Sequence, residues 1–277
     1  MGSKKKTGVV WVIAIIIIIV IIAAAWYARR AKQAAVVKTP AAAATVATPA
    51  SAPAIAHPIT AVTPAHTASA PAPLPPLAHS DAAVTSALAR LSGDTSFGKF
   101  ANAHLVQRIV ATVNALPQHE LGDNILPLHA PAGDVVTTTT ASGQLVMNAS
   151  NDARYAPYMN WVKQADMAQL AAWYVADYPL FQQAYQQLGY PHGYFNDRLV
   201  QVIDHLLKAP EPTGPLALVK TDKGYAFADP QLEALSAGQK LMIRVGPTNE
   251  TLLKNKLRAF RAAITGQHAP TKASGTP

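Results

Sequence analysis

Tyr194-Phe195-Asn196-Asp197-Arg198-Leu199-Val200-Gln201-Val202-Ile203-Asp204-His205-Leu206-Leu207 is the stretch whose reading decides the fold class. Phe195, Leu199, Val202 and Leu206 recur at helical spacing, the stripe of a helix that buries one side. On such a helix Asp197, Gln201, Asp204 and Lys208 fall along one line, with Arg198 and His205 one position round. The apolar stripe predicts a helical core, and the polar line beside it is the richest concentration of reactive side chains in the chain.

The same periodicity extends outward in both directions. The loop Gly189-Tyr190-Pro191-His192-Gly193 precedes the stretch, and before it Leu170, Trp173, Tyr174, Tyr178, Phe181, Tyr185 and Leu188 share one broad face. Pro179 is expected to break that face into two helices. Leu105, Ile109, Val113 and Leu116 form an earlier stripe, widened by Val106 and Val110 and stopped by Pro117. Ser80-Asp81 reads as a capping pair for a helix through Val84, Leu88 and Leu91, which Gly93 ends. Val135 to Thr140 and Leu145 to Met147 flank Ala141-Ser142-Gly143-Gln144 as a hairpin. Leu216 to Lys220 and Tyr225 to Phe227 flank Asp222-Lys223-Gly224 as a second. Asp229-Pro230 starts a short helix, and a last one runs through Leu253, Leu257, Phe260 and Ile264, with Lys254, Arg258 and Arg261 on other faces. The expectation is a mainly α fold with two small β-hairpins, an α+β domain over 77–266 followed by a disordered tail, 267–277. A domain of that length buries an ordinary core and needs neither metal nor disulfide to fold.

The N-terminal third is of another kind. After a basic tail, 1–6, residues 7–28 carry no charge and include Ile15 to Ile19 without a break. As a helix they reach about 33 Å, enough for a hydrocarbon core of ~30 Å. Trp11, Trp26 and Tyr27 stand near the ends, where aromatic rings favour the interface. The competing reading is a cleaved signal peptide ending at Ala23-Ala24-Ala25, but the length of the apolar core and the Arg29, Arg30 and Lys32 cluster favour a retained transmembrane helix partnered by the lipid bilayer. Residues 29–76 read as an Ala/Pro-rich disordered linker. The 46 positions from 34 to 79 hold 17 Ala and 9 Pro, too many prolines for a helix to persist.

Seven basic residues and no acid precede Asp81, which leaves 16 basic and 15 acidic groups in the rest of the 277-residue chain. Seven of the eight net positive charges therefore belong to the N-terminal part around the apolar segment, where anionic headgroups attract them, and nucleic acid is not an expected partner. The chain has no cysteine, which excludes disulfides, thiolate metal sites and cysteine nucleophiles.

Leu180-Phe181-Gln182-Gln183-Ala184-Tyr185, Leu188-Gly189-Tyr190-Pro191, Tyr194 to Leu207, Phe227-Ala228-Asp229-Pro230 and Leu235-Ser236-Ala237-Gly238-Gln239-Lys240-Leu241 resemble a proteobacterial family of membrane-anchored proteins whose domain has no assigned function. The resemblance covers about Leu77 to Ile264 and the anchor-plus-spacer layout. It implies a bacterial inner-membrane protein, single pass, with the C-terminal domain in the periplasm. It brings no catalytic residue with it.

Individual motifs are thin. Gly93-Asp94-Thr95-Ser96-Phe97-Gly98-Lys99 begins like a phosphate-binding loop, but Phe100 stands where Ser or Thr should ligate magnesium. Ser236 and Lys240 lie four apart, which reads as a helix cap beside a solvated lysine rather than a Ser-Lys pair. The candidate binding or polar-cleft residues are Tyr190, His192, Asn196, Asp197, Arg198, Asp204 and His205; no residue is assigned a catalytic or metal-ligating role, and no cofactor is implied. The expected function is a binding or scaffolding domain for an envelope protein partner, carried on a flexible tether. The alternative is an envelope hydrolase acting on cell-wall material at His192 to His205. Convergence of His192, Asp197, Arg198 and His205 in one pocket would favour the hydrolase, and a splayed strip the binder. Tyr190, Phe195 and Leu199 are expected to be buried.

Overall fold

Phe195, Leu199, Val202 and Leu206 are all buried, on a helix that runs Phe195–Leu207. A computed structural model describes residues 54–61, 73–92, 103–122, 125–127, 131, 134–222 and 224–266. The expected transmembrane segment 7–28, much of the linker 29–76, the Gly93 to Lys99 match and the tail 267–277 lie outside the described residues. The domain is mainly helical with two small antiparallel two-stranded sheets. In chain order it comprises α1 (Asp81–Ser92), α2 (Leu105–Ala115), β1 (Thr137–Thr139), β2 (Leu145–Met147), α3 (Asn151–Arg154), α4 (Ala156–Gln164), α5 (Met167–Gln187), α6 (Phe195–Leu207), β3 (Leu218–Thr221), β4 (Gly224–Phe227), α7 (Pro230–Glu233), α8 (Ala237–Arg244) and α9 (Pro247–Ile264).

The core forms where α2, α5, α6 and α9 pack on one another. Its centre is aromatic. The Phe181 and Phe195 rings stack with centroids 6.1 Å apart, and Tyr174 meets Phe181, Phe195 and Phe260 at 5.3 to 6.5 Å. These arrangements gain about 0.5 to 1.5 kcal/mol per pair beyond the burial of area.

Four local features differ from the sequence reading. α5 is one helix of 21 residues with Pro179 inside it, not two. Pro179 is exposed, so water can meet the carbonyl its missing N–H leaves unpaired, while buried Tyr178, Leu180 and Phe181 hold both halves in line. α4 was not anticipated: it is short and has Pro157 in its first turn, yet Tyr158, Met159, Trp161 and Val162 are buried. The Asp81 carboxylate serves α2, not its own helix, accepting from the N–H groups of His104 at 2.8 Å and Leu105 at 2.7 Å. Tyr190 is 41% exposed and Leu188 42% exposed rather than buried. Tyr190 is held flat against Tyr185 with centroids 4.6 Å apart, so only one face of its ring is covered.

The hairpins pair as the turn residues require, Thr138 opposite Val146 and Val219 opposite Ala226. They adjoin each other through the Met147 N–H, which donates to the Leu216 carbonyl at 2.9 Å. Leu218, Phe227 and Ile243 make a second small core beneath them. Gly238 lets α8 approach closely: its N–H donates to the Leu116 carbonyl at 2.9 Å, and a Cβ there would stand 2.5 Å from the Leu206 side chain. That contact brings Ser236 beside His205.

Candidate functional site

The start of α6 is built by its neighbour. The first N–H groups of a helix lack intrahelical partners, and the N-cap Tyr194 gives no side-chain bond. α5 supplies the acceptors instead. Gln182 Oε1 accepts from the Phe195 N–H at 2.9 Å, and the Tyr178 hydroxyl accepts from the Asn196 N–H at 3.3 Å. Gln182 Nε2 donates to the Gly193 carbonyl at 2.8 Å, and the Tyr178 hydroxyl donates to Gln182 Oε1 at 2.8 Å. Burial pushes the Tyr178 hydroxyl far above the ordinary tyrosine value, so it stays a protonated donor.

With those amides satisfied, the Asp197 carboxylate is left for other donors. It accepts from the Ala56 N–H at 3.0 Å and the His57 N–H at 2.6 Å. Asn196 Nδ2 donates to the His57 carbonyl at 2.8 Å, and the Tyr194 hydroxyl accepts from the Ile59 N–H at 2.7 Å. Residues 54–61, inside the stretch read as a disordered linker, thus lie on the start of α6 and end in a short 3-10 turn, Ile59–Ala61. The reading of an unbroken spacer from 29 to 76 did not foresee this contact, because an Ala/Pro-rich composition carries no apolar periodicity to mark it.

The other candidate residues point to separate partners. Arg198 grips the end of α2, with Nε donating to Asn114 Oδ1 and a terminal nitrogen to the Asn114 carbonyl, both at 2.8 Å. A cation there meets the negative end of the helix. The Tyr190 hydroxyl accepts from Asn114 Nδ2 at 3.2 Å. Asp204 forms a two-point ion pair with Arg261 at 2.6 and 3.0 Å. His205 Nε2 lies 2.8 Å from the Ser236 hydroxyl, and Ser236 also caps α8 by accepting from the Gln239 N–H. Burial lowers the His205 pKa, helped by the positive charges of Lys208 and Arg198, so the ring is biased toward its neutral form. His192 is exposed in its loop. Asp197, Arg198, Asp204 and His205 therefore splay toward four different elements. Lys240 is buried, not solvated, and donates to Glu233 Oε1 at 3.0 Å and to the Glu233 carbonyl at 3.1 Å.

A separate concavity lies elsewhere among the described residues. A cleft of about 450 Å³ opens between the first hairpin, the loop after α6 and the start of α9, lined in part by Met147, Asp152, Glu211, Leu216, Ile243 and Glu250. Burial raises the carboxyl pKa of Asp152, and burial also raises that of Glu250 against the opposing pull of Lys254. Glu211 is held low by its hydrogen bond to Lys254, whose Nζ donates to Glu211 Oε1 and to the Ala209 carbonyl, both at 2.6 Å. Lys254 also stands 3.0 Å from Glu250 as a charge contact. Glu211 and Glu250 thus share the one ammonium of Lys254, and Asp152 lines the same cleft. Among the described residues no group of three or more His, Asp or Glu side chains is arranged to hold a metal ion. None of the sequence candidates lines this cleft. Its one legible signal was Glu250 and Lys254, four apart on the last helix, a spacing that also fits an ordinary surface pair.

A family model described as "Protein of unknown function (DUF3014)" matches residues 105–261, more than half of the chain. The chain belongs to the DUF3014 family. The DUF3014 match starts at the first residue of α2 and stops within α9, so it contains the start of α6 and the residues that line the cleft, but not residues 54–61. No curated protein and no solved structure matches the chain.

Proposed function

We propose that this DUF3014 protein is a single-pass envelope protein of the bacterial inner membrane, anchored by residues 7–28, which presents its helical domain in the periplasm as a binding or scaffolding module. The observation that carries the binding reading is the splayed strip on α6, whose Asp197, Arg198, Asp204 and His205 each engage a different part of the chain. General acid–base chemistry needs its groups within reach of one substrate atom, an arrangement this strip lacks. The alternative, hydrolysis of cell-wall material at His192 to His205, has correspondingly little support. The cleft beside Glu211 and Glu250 offers a ready place for a partner's side chain. Anchoring rests on the sequence of 7–28, which lies outside the described residues; among those described, no helix is long and apolar enough to cross a membrane.

The reading is tested in cells carrying a photo-crosslinking residue at Asn148, on the cleft's rim, with the membrane fraction washed at alkaline pH before partner identification. The protein should remain with the membrane, since 22 uncharged residues bury more apolar surface than a basic patch could hold, and one envelope protein should crosslink reproducibly. Release of a soluble product beginning at Trp26 would overturn the anchor. Loss of the cellular phenotype in a folded His205→Ala variant that keeps its crosslinks would overturn the binding reading in favour of chemistry at the strip.

A further inference from the structure

Within Ala56-His57-Pro58-Ile59 every main-chain N–H that exists is bonded to α6 or its cap. Ala56 and His57 donate to the two oxygens of Asp197, Ile59 donates to the Tyr194 hydroxyl, and Pro58, between them, has no N–H to place. Asn196 completes the set by donating to the His57 carbonyl at 2.8 Å. The Ile59 side chain packs against the main core, whereas Ala56 and Pro58 are exposed and His57 is half-buried.

Two of the receiving side chains, Asn196 and Tyr194, also have contacts outside the segment they hold. Asn196 is fully buried; its Nδ2 also donates to the Ile264 carbonyl at 3.2 Å, and its Oδ1 has no partner among the described residues. The Tyr194 ring leans on Tyr178 with centroids 5.4 Å apart, and Tyr178 and Gln182 hold the backbone beneath. An amide donor and a hydroxyl acceptor are thus preorganised beside a charged acceptor on the same helix turn, and preorganisation lowers the cost of binding an extended chain.

We propose that the start of α6 is a peptide-binding site for an extended segment in which two residues with free N–H groups precede proline and then an aliphatic residue, and that Ala56–Ile59 of the same chain fills it in cis. The site reads main chain at the first two positions, the absence of an N–H at the third and an apolar side chain at the fourth. The short connection to residue 73 gives the cis segment an effective concentration on the order of millimolar, so a free peptide gains entry only when that segment is released. Nothing in this depends on the membrane anchor.

The test uses the full chain in detergent, where hydrogen exchange is read residue by residue. The amides of Ala56, His57 and Ile59 should exchange at least about tenfold more slowly than those of Ala41 to Ala44. In His57→Pro, which removes one donor without altering the domain, the remaining two amides should speed up. A fluorescent peptide copying residues 53–62 should bind His57→Pro at least about tenfold more tightly than the wild type, and adding Asp197→Ala should abolish that binding. Circular dichroism melting of the double variant separates a lost site from a lost fold, and Tyr194→Phe, which removes a single acceptor, should weaken the peptide in the same direction. Fast exchange at all three amides in the wild type, or equal peptide binding by every variant, would overturn the proposal. A wild-type dimer that becomes monomeric in His57→Pro would overturn the cis arrangement in favour of a second copy.

Discussion

Asp177 lies partly buried on α5, and burial raises its carboxyl from the ordinary 3.8 to about 6, with Arg90 only partly opposing. The folded state therefore keeps a proton that the unfolded chain has already lost between about pH 4 and pH 6, so stability falls as pH rises through that window. Asp177→Asn should raise the thermal midpoint at about pH 7.5 and change it little at about pH 4, the pattern of a relieved charge; a larger gain at the acid end would refute the assignment. His205 acts with the opposite sign. Its lowered pKa means that stability is lost as pH falls below the ordinary value of 6.5 and the half-buried ring is forced to charge beside Lys208 and Arg198. At Phe195, 1% exposed in the aromatic centre, truncation to alanine should cost about 3 to 5 kcal/mol in chemical denaturation. His192→Ala, at an exposed loop position, should stay within about 0.5 kcal/mol of the wild type.

At the level of elements, α6 depends on a side chain from another helix. Gln182→Ala leaves both the Phe195 N–H and the Gly193 carbonyl without their partners and should destabilise by about 1 to 3 kcal/mol, with amide exchange at Phe195 rising first. Pro179→Ala should instead stabilise α5, because the helix already continues through that exposed position and alanine restores the missing bond; a loss of stability would show that proline is wanted there. These two cases mark where the sequence was readable. Stripes such as Leu105 to Leu116 and Phe195 to Leu206 fixed their helices, and the Gly-bearing turns fixed both hairpins, since each signal is local. α4 was missed because its buried Tyr158, Met159, Trp161 and Val162 crowd into nine residues, too short a window for periodicity to emerge. The polar strip was legible as a helix face, but the destination of each side chain was not. Arg198 meets Asn114, 84 positions away, and Asp204 meets Arg261, 57 away, and no spacing rule reaches so far.

On the scale of the whole molecule, a chain from residue 54 to 266 should melt cooperatively and at a higher temperature than one from 73 to 266, since the longer chain keeps the contacts of Ala56 to Ile59. Chelator should shift neither transition, a result that a hidden structural metal would contradict. Under the proposed anchoring by residues 7–28, the hold of α6 on those few residues also alters the mechanics of the protein. A spacer free from 29 to 76 would behave as a coil with a span of roughly 35 to 40 Å, whereas one pinned at 54 leaves only the stretch before it, about 25 to 30 Å. Fully drawn out, the leash shortens from ~150 Å to ~80 Å at about 3.1 Å per residue. Breaking the four hydrogen bonds at Tyr194, Asn196 and Asp197 would therefore nearly double the fullest reach of the proposed leash.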